Sequence, residues 1–80
     1  MEITLKHPFT NAAGQRLEKL PLKRLKRVDL KAAAKHSKDD AEQEDFLLAR
    51  MTGLTIEDIE QFDIADSKAL QDMFREMVES

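Results

Sequence analysis

Gly53 is the residue that most constrains this chain. It separates two apolar runs at helical spacing, Leu47-Leu48-Ala49-Arg50-Met51-Thr52 before it and Leu54-Thr55-Ile56-Glu57-Asp58-Ile59 after it. A glycine so placed supplies the positive φ that commonly closes a helix. Thr55, with Asp58 three residues on, then offers an N-cap oxygen and an acid in the first turn of the next helix. Because apolar side chains flank the turn on both sides, Ala49, Gly53, Thr55 and Ile59 are expected to form a structural corner against a core.

The length bounds that core. Eighty residues predict one domain over 1–80, and a chain of this size buries only ~60% of the surface its unfolded form exposes. The absence of cysteine removes any disulfide frame and any thiolate chemistry, which fits a reducing compartment. No apolar run approaches the ~20 residues needed to span a bilayer, and Met1-Glu2-Ile3-Thr4-Leu5-Lys6 lacks a signal-peptide core. A soluble intracellular protein with no membrane partner is expected.

Along the chain, Glu2-Ile3-Thr4-Leu5-Lys6 alternates as a half-buried strand does, with Ile3 and Leu5 inward. Pro8 should end or roughen it, and Asn11-Ala12-Ala13-Gly14 has hairpin-turn composition. In the run Gln15 to Leu25, Pro21 interrupts a helical reading, so the spacing of Leu20 and Leu22 predicts a second strand, on a sheet edge. Residues 1–26 thus form a β-hairpin part and 27–80 a helical part. Helices are predicted from Val28 to His36, from about Asp40 to Thr52 with Phe46, Leu47 and Met51 inward, and in a short piece holding Ile56, Ile59 and Phe62. The last helix carries Leu70, Met73, Phe74, Met77 and Val78 at i, i+3, i+4, i+7 and i+8, the cleanest amphipathic stripe in the chain. The class is α+β: a hairpin followed by a bundle of three to four short helices.

Charge is distributed unevenly. Residues 1–38 hold ten Lys/Arg against three Asp/Glu, and residues 39–80 hold three against thirteen, so +7 and −10 underlie the net −3. Such asymmetry suggests a nucleic-acid arm, or, more plainly, two halves that offset each other in the fold. Catalytic sets are missing. His7 sits beside a proline and His36 at a helix end, so neither pairs with a nucleophile in sequence. The acids Asp39, Asp40, Glu42, Glu44 and Asp45 lack the glycine and oxygen spacing of a calcium loop, and two distant histidines make no zinc site. No glycine-rich phosphate cradle exists, and no cofactor is expected.

Ala49, Gly53 and Ile59 also have helix-turn-helix spacing. That motif would put Glu57, Asp58 and Glu60, with no Lys or Arg, into a DNA groove, where phosphates repel them. A small nucleic-acid-binding regulator, built on the basic half and this corner, is therefore the second reading. The region Lys19 to Lys31 keeps it open, although no aromatic residue there could stack on bases.

The segment Ala49 to Ile59, followed by Phe62-Asp63-Ile64-Ala65-Asp66 and Ala69-Leu70-Gln71, resembles the small phage tail assembly chaperones of Mu-like contractile-tailed phages and prophages. Asp29-Leu30 falls where that family begins its helices with a similar pair, but the proline that often precedes it is missing. The resemblance implies a non-enzymatic protein of the bacterial host cytoplasm, absent from the finished virion, that binds the tape measure protein and keeps it soluble during tail assembly. It also implies, as a further partner, a longer form of the chaperone made by frameshifting. Leu70, Met73, Phe74, Met77 and Val78 are the partner-binding candidates, with Met77 and Val78 foremost because they lie near a helix end. The same stripe would serve a homo-oligomer equally well.

Overall fold

The computed structural model describes residues 1–80. Strands β1 (Glu2–Thr10) and β2 (Arg16–Pro21) form an antiparallel hairpin, and the helices α1 (Arg27–His36), α2 (Asp40–Thr52), α3 (Ile56–Glu60) and α4 (Ile64–Glu79) follow it. The architecture is α+β, as the sequence pattern predicts.

The hairpin turn follows from its residues. Gly14 takes φ 83° and donates its N–H to the Asn11 carbonyl at 3.0 Å, while the Asn11 side chain accepts the Gln15 N–H at 2.9 Å. Beyond the turn, β1 differs from expectation. Pro8 does not end it; the strand continues to Thr10. The ladder pairs Thr4 with Lys19 and then Phe9 with Leu17, so residues 5–8 of β1 stand opposite Glu18 alone. Pro8 falls inside this wide irregularity, in a sheet whose strands both have a free edge, so its missing N–H breaks no ladder bond.

The same shift changes the inward set on β2. The spacing of Leu20 and Leu22 predicts an even register, yet Leu17 is also fully buried, with Glu18 and Lys19 both exposed between it and Leu20. Regular pairing stops at Pro21, four residues before Leu25. Past it the chain stays tied down, the Leu22 N–H donating to the Met1 carbonyl and the Lys23 N–H to the Met51 carbonyl, each at 2.8 Å.

Helix α2 is the centre of the helical part, contacting α1, α3 and α4, while α4 also packs on β1. This placement explains why three consecutive residues, Leu47, Leu48 and Ala49, are all buried: a helix covered on several sides cannot keep a single inner stripe. Phe46, expected inside, is only half-buried; it stacks on His36 with ring centroids 4.9 Å apart and lies 5.4 Å beneath the Arg50 guanidinium. The main core joins Ile3, Leu5, Leu17 and Leu20 of the hairpin to Leu48, Met51, Ile59, Phe62, Leu70 and Met77. Each fully buried Leu or Met among them contributes roughly 1.5–3 kcal/mol, and that joint burial is what a hairpin needs to persist in water.

The helix ends are chemically specified. Asp39 caps α2 through the N–H groups of Ala41 and Glu42, and Asp63 caps α4 through that of Ala65. At the corner, Gly53 has φ 75° and its N–H donates to the Ala49 carbonyl at 2.9 Å, the Leu54 N–H reaching the same carbonyl at 3.1 Å. Thr55 Oγ1 accepts the Asp58 N–H at 3.1 Å, and Asp58 accepts the Thr55 N–H at 3.4 Å. Ala49 and Ile59 are both buried against the turn.

Candidate functional site

The stripe of α4 is divided along its length. Leu70 is completely buried and Met77 nearly so, whereas Met73 and Phe74 are half-buried against the core and Val78 is 69% exposed. The middle of α4 is therefore used by the fold, and its free apolar surface lies at the two ends, at Ile64, 84% exposed, and over the last two turns. Leu25, just after β2, and Leu30, on α1 and 50% exposed, come up beside that end. Together Leu25, Leu30, Phe74, Met77 and Val78 wall a groove of about 270 Å³, with Arg24, Lys26 and Arg27 as its rim.

Three ties hold the groove in shape. Arg24 donates to the Ser80 hydroxyl at 3.0 Å and to the Ser80 carbonyl at 3.1 Å. It supplies from across the fold the cation that α4 lacks in its own last turn. The Leu25 N–H points at the Met77 sulfur, 3.4 Å away. Third, the buried Asp29 carboxylate accepts the Lys26 N–H and the Arg50 Nε–H, each at 2.8 Å, clamping the entry to α1 onto α2. The Lys26 N–H holds the Asp29 carboxyl below its ordinary range, against burial, which pushes it up; the Arg50 hydrogen bond and the charges of Lys23 and Arg50 add to the lowering.

On the other side of Phe74 lies a more open hollow lined by Asp40, Ala41, Gln43, Glu44 and Leu47. Glu44 there accepts a hydrogen bond from Gln71 at 3.3 Å. Burial raises the pKa of neighbouring Asp45, and the charges of Glu44, Glu42 and Asp39 raise it further. No group of three or more His, Asp or Glu side chains is arranged to hold a metal ion. His7 approaches the Asp63 carboxylate at 3.7 Å while 60% exposed, and His36 is stacked on Phe46.

Of the five stripe residues, the structure brings Phe74, Met77 and Val78 to the groove and leaves Leu70 in the core, with Met73 packed against it. Leu25 and Leu30 were missed as site residues because they lie outside the stripe; the signal that could have found Leu30 is an apolar side chain on the exposed side of a lysine-rich helix. The helix after the Gly53 turn, α3, is five residues long and carries Glu57, Asp58 and Glu60 with no Lys or Arg.

No helix is long and apolar enough to cross a membrane. No curated protein and no solved structure matches the chain. A family model does, over residues 2–79, which take in the hairpin, the corner and the groove together. That family is described as phage tail assembly chaperone proteins, E, or 41 or 14, and the chain belongs to it.

Proposed function

We propose that this protein acts without catalysis in the host cytoplasm, binding the tape measure protein of its phage and keeping it soluble until the tail tube assembles around it. The observation that carries this reading is the uncovered apolar groove formed by Leu25, Leu30, Phe74, Met77 and Val78. A chain of 80 residues has little apolar surface to spare, and Val78 and Leu30 are both exposed on the lining of this one groove, the kind of apolar patch that marks a protein contact. A long helical client presents matching apolar stripes, and methionine adapts to varied ones. Neither histidine lines the groove, so no imidazole stands there for acid–base chemistry.

Co-expression with the tape measure protein tests this. The expected outcome is a several-fold rise of that protein in the soluble fraction and a complex that survives size-exclusion chromatography, with the chaperone absent from purified virions. A client that stays in the pellet and never co-elutes would overturn it.

A further inference from the structure

The chemistry of the groove narrows what can lie in it. Its volume of about 270 Å³ is below the roughly 300–1,000 Å³ of small-molecule clefts, so it suits a few side chains projecting from a larger partner. An added strand is excluded by the hydrogen bonding of the chain beneath. The N–H groups of Leu22, Lys23, Leu25 and Lys26 are already given to Met1, Met51, Met77 and Asp29, so this extended segment offers no row of free donors for strand addition. What remains is a surface read by side chains, the kind into which a helix lays an apolar face.

Charge selects among helices. The groove's lining contains three cations and no carboxylate, and while Arg24 is engaged with Ser80, Lys26 and Arg27 form no ion pair. A two-fold pairing of this face with itself would set each basic rim against its copy, which is repulsive. We propose that the groove docks an amphipathic helix of the client whose apolar stripe is flanked by Asp and Glu; the assignment rests on the chaperone reading above and adds the chemistry of the recognised segment.

The test uses the full chain and two fluorescein-labelled helical peptides sharing one leucine stripe at i, i+3, i+4 and i+7, one flanked by Glu and the other by Lys. Fluorescence anisotropy should show the Glu peptide binding about tenfold more tightly at low salt, the gap narrowing as salt rises. Leu30→Ser and Val78→Ser, at exposed positions that leave the core intact, should each weaken binding severalfold. Lys26→Glu with Arg27→Glu should reverse the preference. Equal affinity for the two peptides, no binding of either, or binding unchanged by the serine variants overturns the proposal. So does a concentration-dependent oligomer that the serine variants dissociate, because a second copy would then be the occupant. If the serine variants still keep the tape measure protein soluble, the groove assignment fails and the chaperone reading stands. If the wild-type protein holds no such client, that reading fails, whatever the peptides do.

Discussion

Asp66, in the first turn of α4, accepts the backbone N–H of Lys6 at 2.8 Å across sixty residues of sequence, and its second oxygen takes the His7 N–H at 2.9 Å. The two donors lie in the stretch of β1 that has lost its regular partner on β2. A carboxylate thus completes the ladder where the strand cannot, and it does so at a helix N-terminus, where negative charge is favoured. Asp66 is 2% exposed, so the contact is an internal tie between hairpin and helix.

Removing that carboxylate should be among the most damaging polar substitutions. Asp66→Ala leaves two amides without their charged acceptor, a loss of roughly 2–4 kcal/mol; Asp66→Asn, which keeps one acceptor oxygen, should fall between. Urea unfolding followed by circular dichroism reads this as a lower midpoint at unchanged slope. An Asp66→Ala protein as stable as wild type would mean that the irregular strand is held by something else.

The Asp29 clamp should make stability depend on acid. Because its pKa is lowered in the folded state, the unfolded chain takes up the proton first as pH falls. Its contribution is therefore fully present above the ordinary aspartate value of about 3.9 and is lost as pH drops through the folded pKa. The stability difference between wild type and Asp29→Asn should hold steady from neutrality down to about pH 5 and shrink below about 4. A difference that stays constant into strong acid would remove Asp29's ionisation from the account.

Much of the fold was legible because local chemistry and packing agree. Gly53 with Thr55 marks the corner within one turn, and α2 begins and ends at the predicted residues. The misreadings arise where distant residues decide. Nothing near Pro8 indicates that Asp66 will supply an acceptor for the neighbouring amides, so the local sequence predicts an end to β1 there. Leu17 turns inward because the register shifts on the opposite strand. At the site, helical periodicity found Phe74, Met77 and Val78 but could not divide the stripe into core and open surface. That division depends on where Leu25, just after β2, and Leu30, on α1, come to lie.

Asp45 should behave in the opposite sense to Asp29. Burial and the nearby charges of Glu44, Glu42 and Asp39 raise its pKa in the folded state, so its ionisation opposes folding above that pKa, and the penalty vanishes once the group is protonated in both states. Asp45→Asn should then stabilise the protein at neutral pH by roughly 0.2–0.5 kcal/mol, the scale of like-charge neighbours on a helix. Thermal midpoints at pH 7 and pH 3 make the comparison. A gain of the same size at both would assign the effect to packing and not to charge.

Gly53 offers a measurement of backbone conformation nearly free of packing. Its φ is 75°, and a Cβ added there would meet nothing within 4 Å, so an alanine pays only for the left-handed geometry. Gly53→Ala should cost roughly 1–2 kcal/mol, and Gly53→Asn clearly less, since asparagine visits this region more readily. Both are read from urea midpoints. Because Ala49 accepts two amides at this turn, an alanine that cannot hold the left-handed angle must either strain or release those bonds. Release would show as faster amide exchange at residues 53 and 54 in Gly53→Ala but not in Gly53→Asn. If alanine and asparagine were equally harmless, the corner would not depend on a left-handed residue at all.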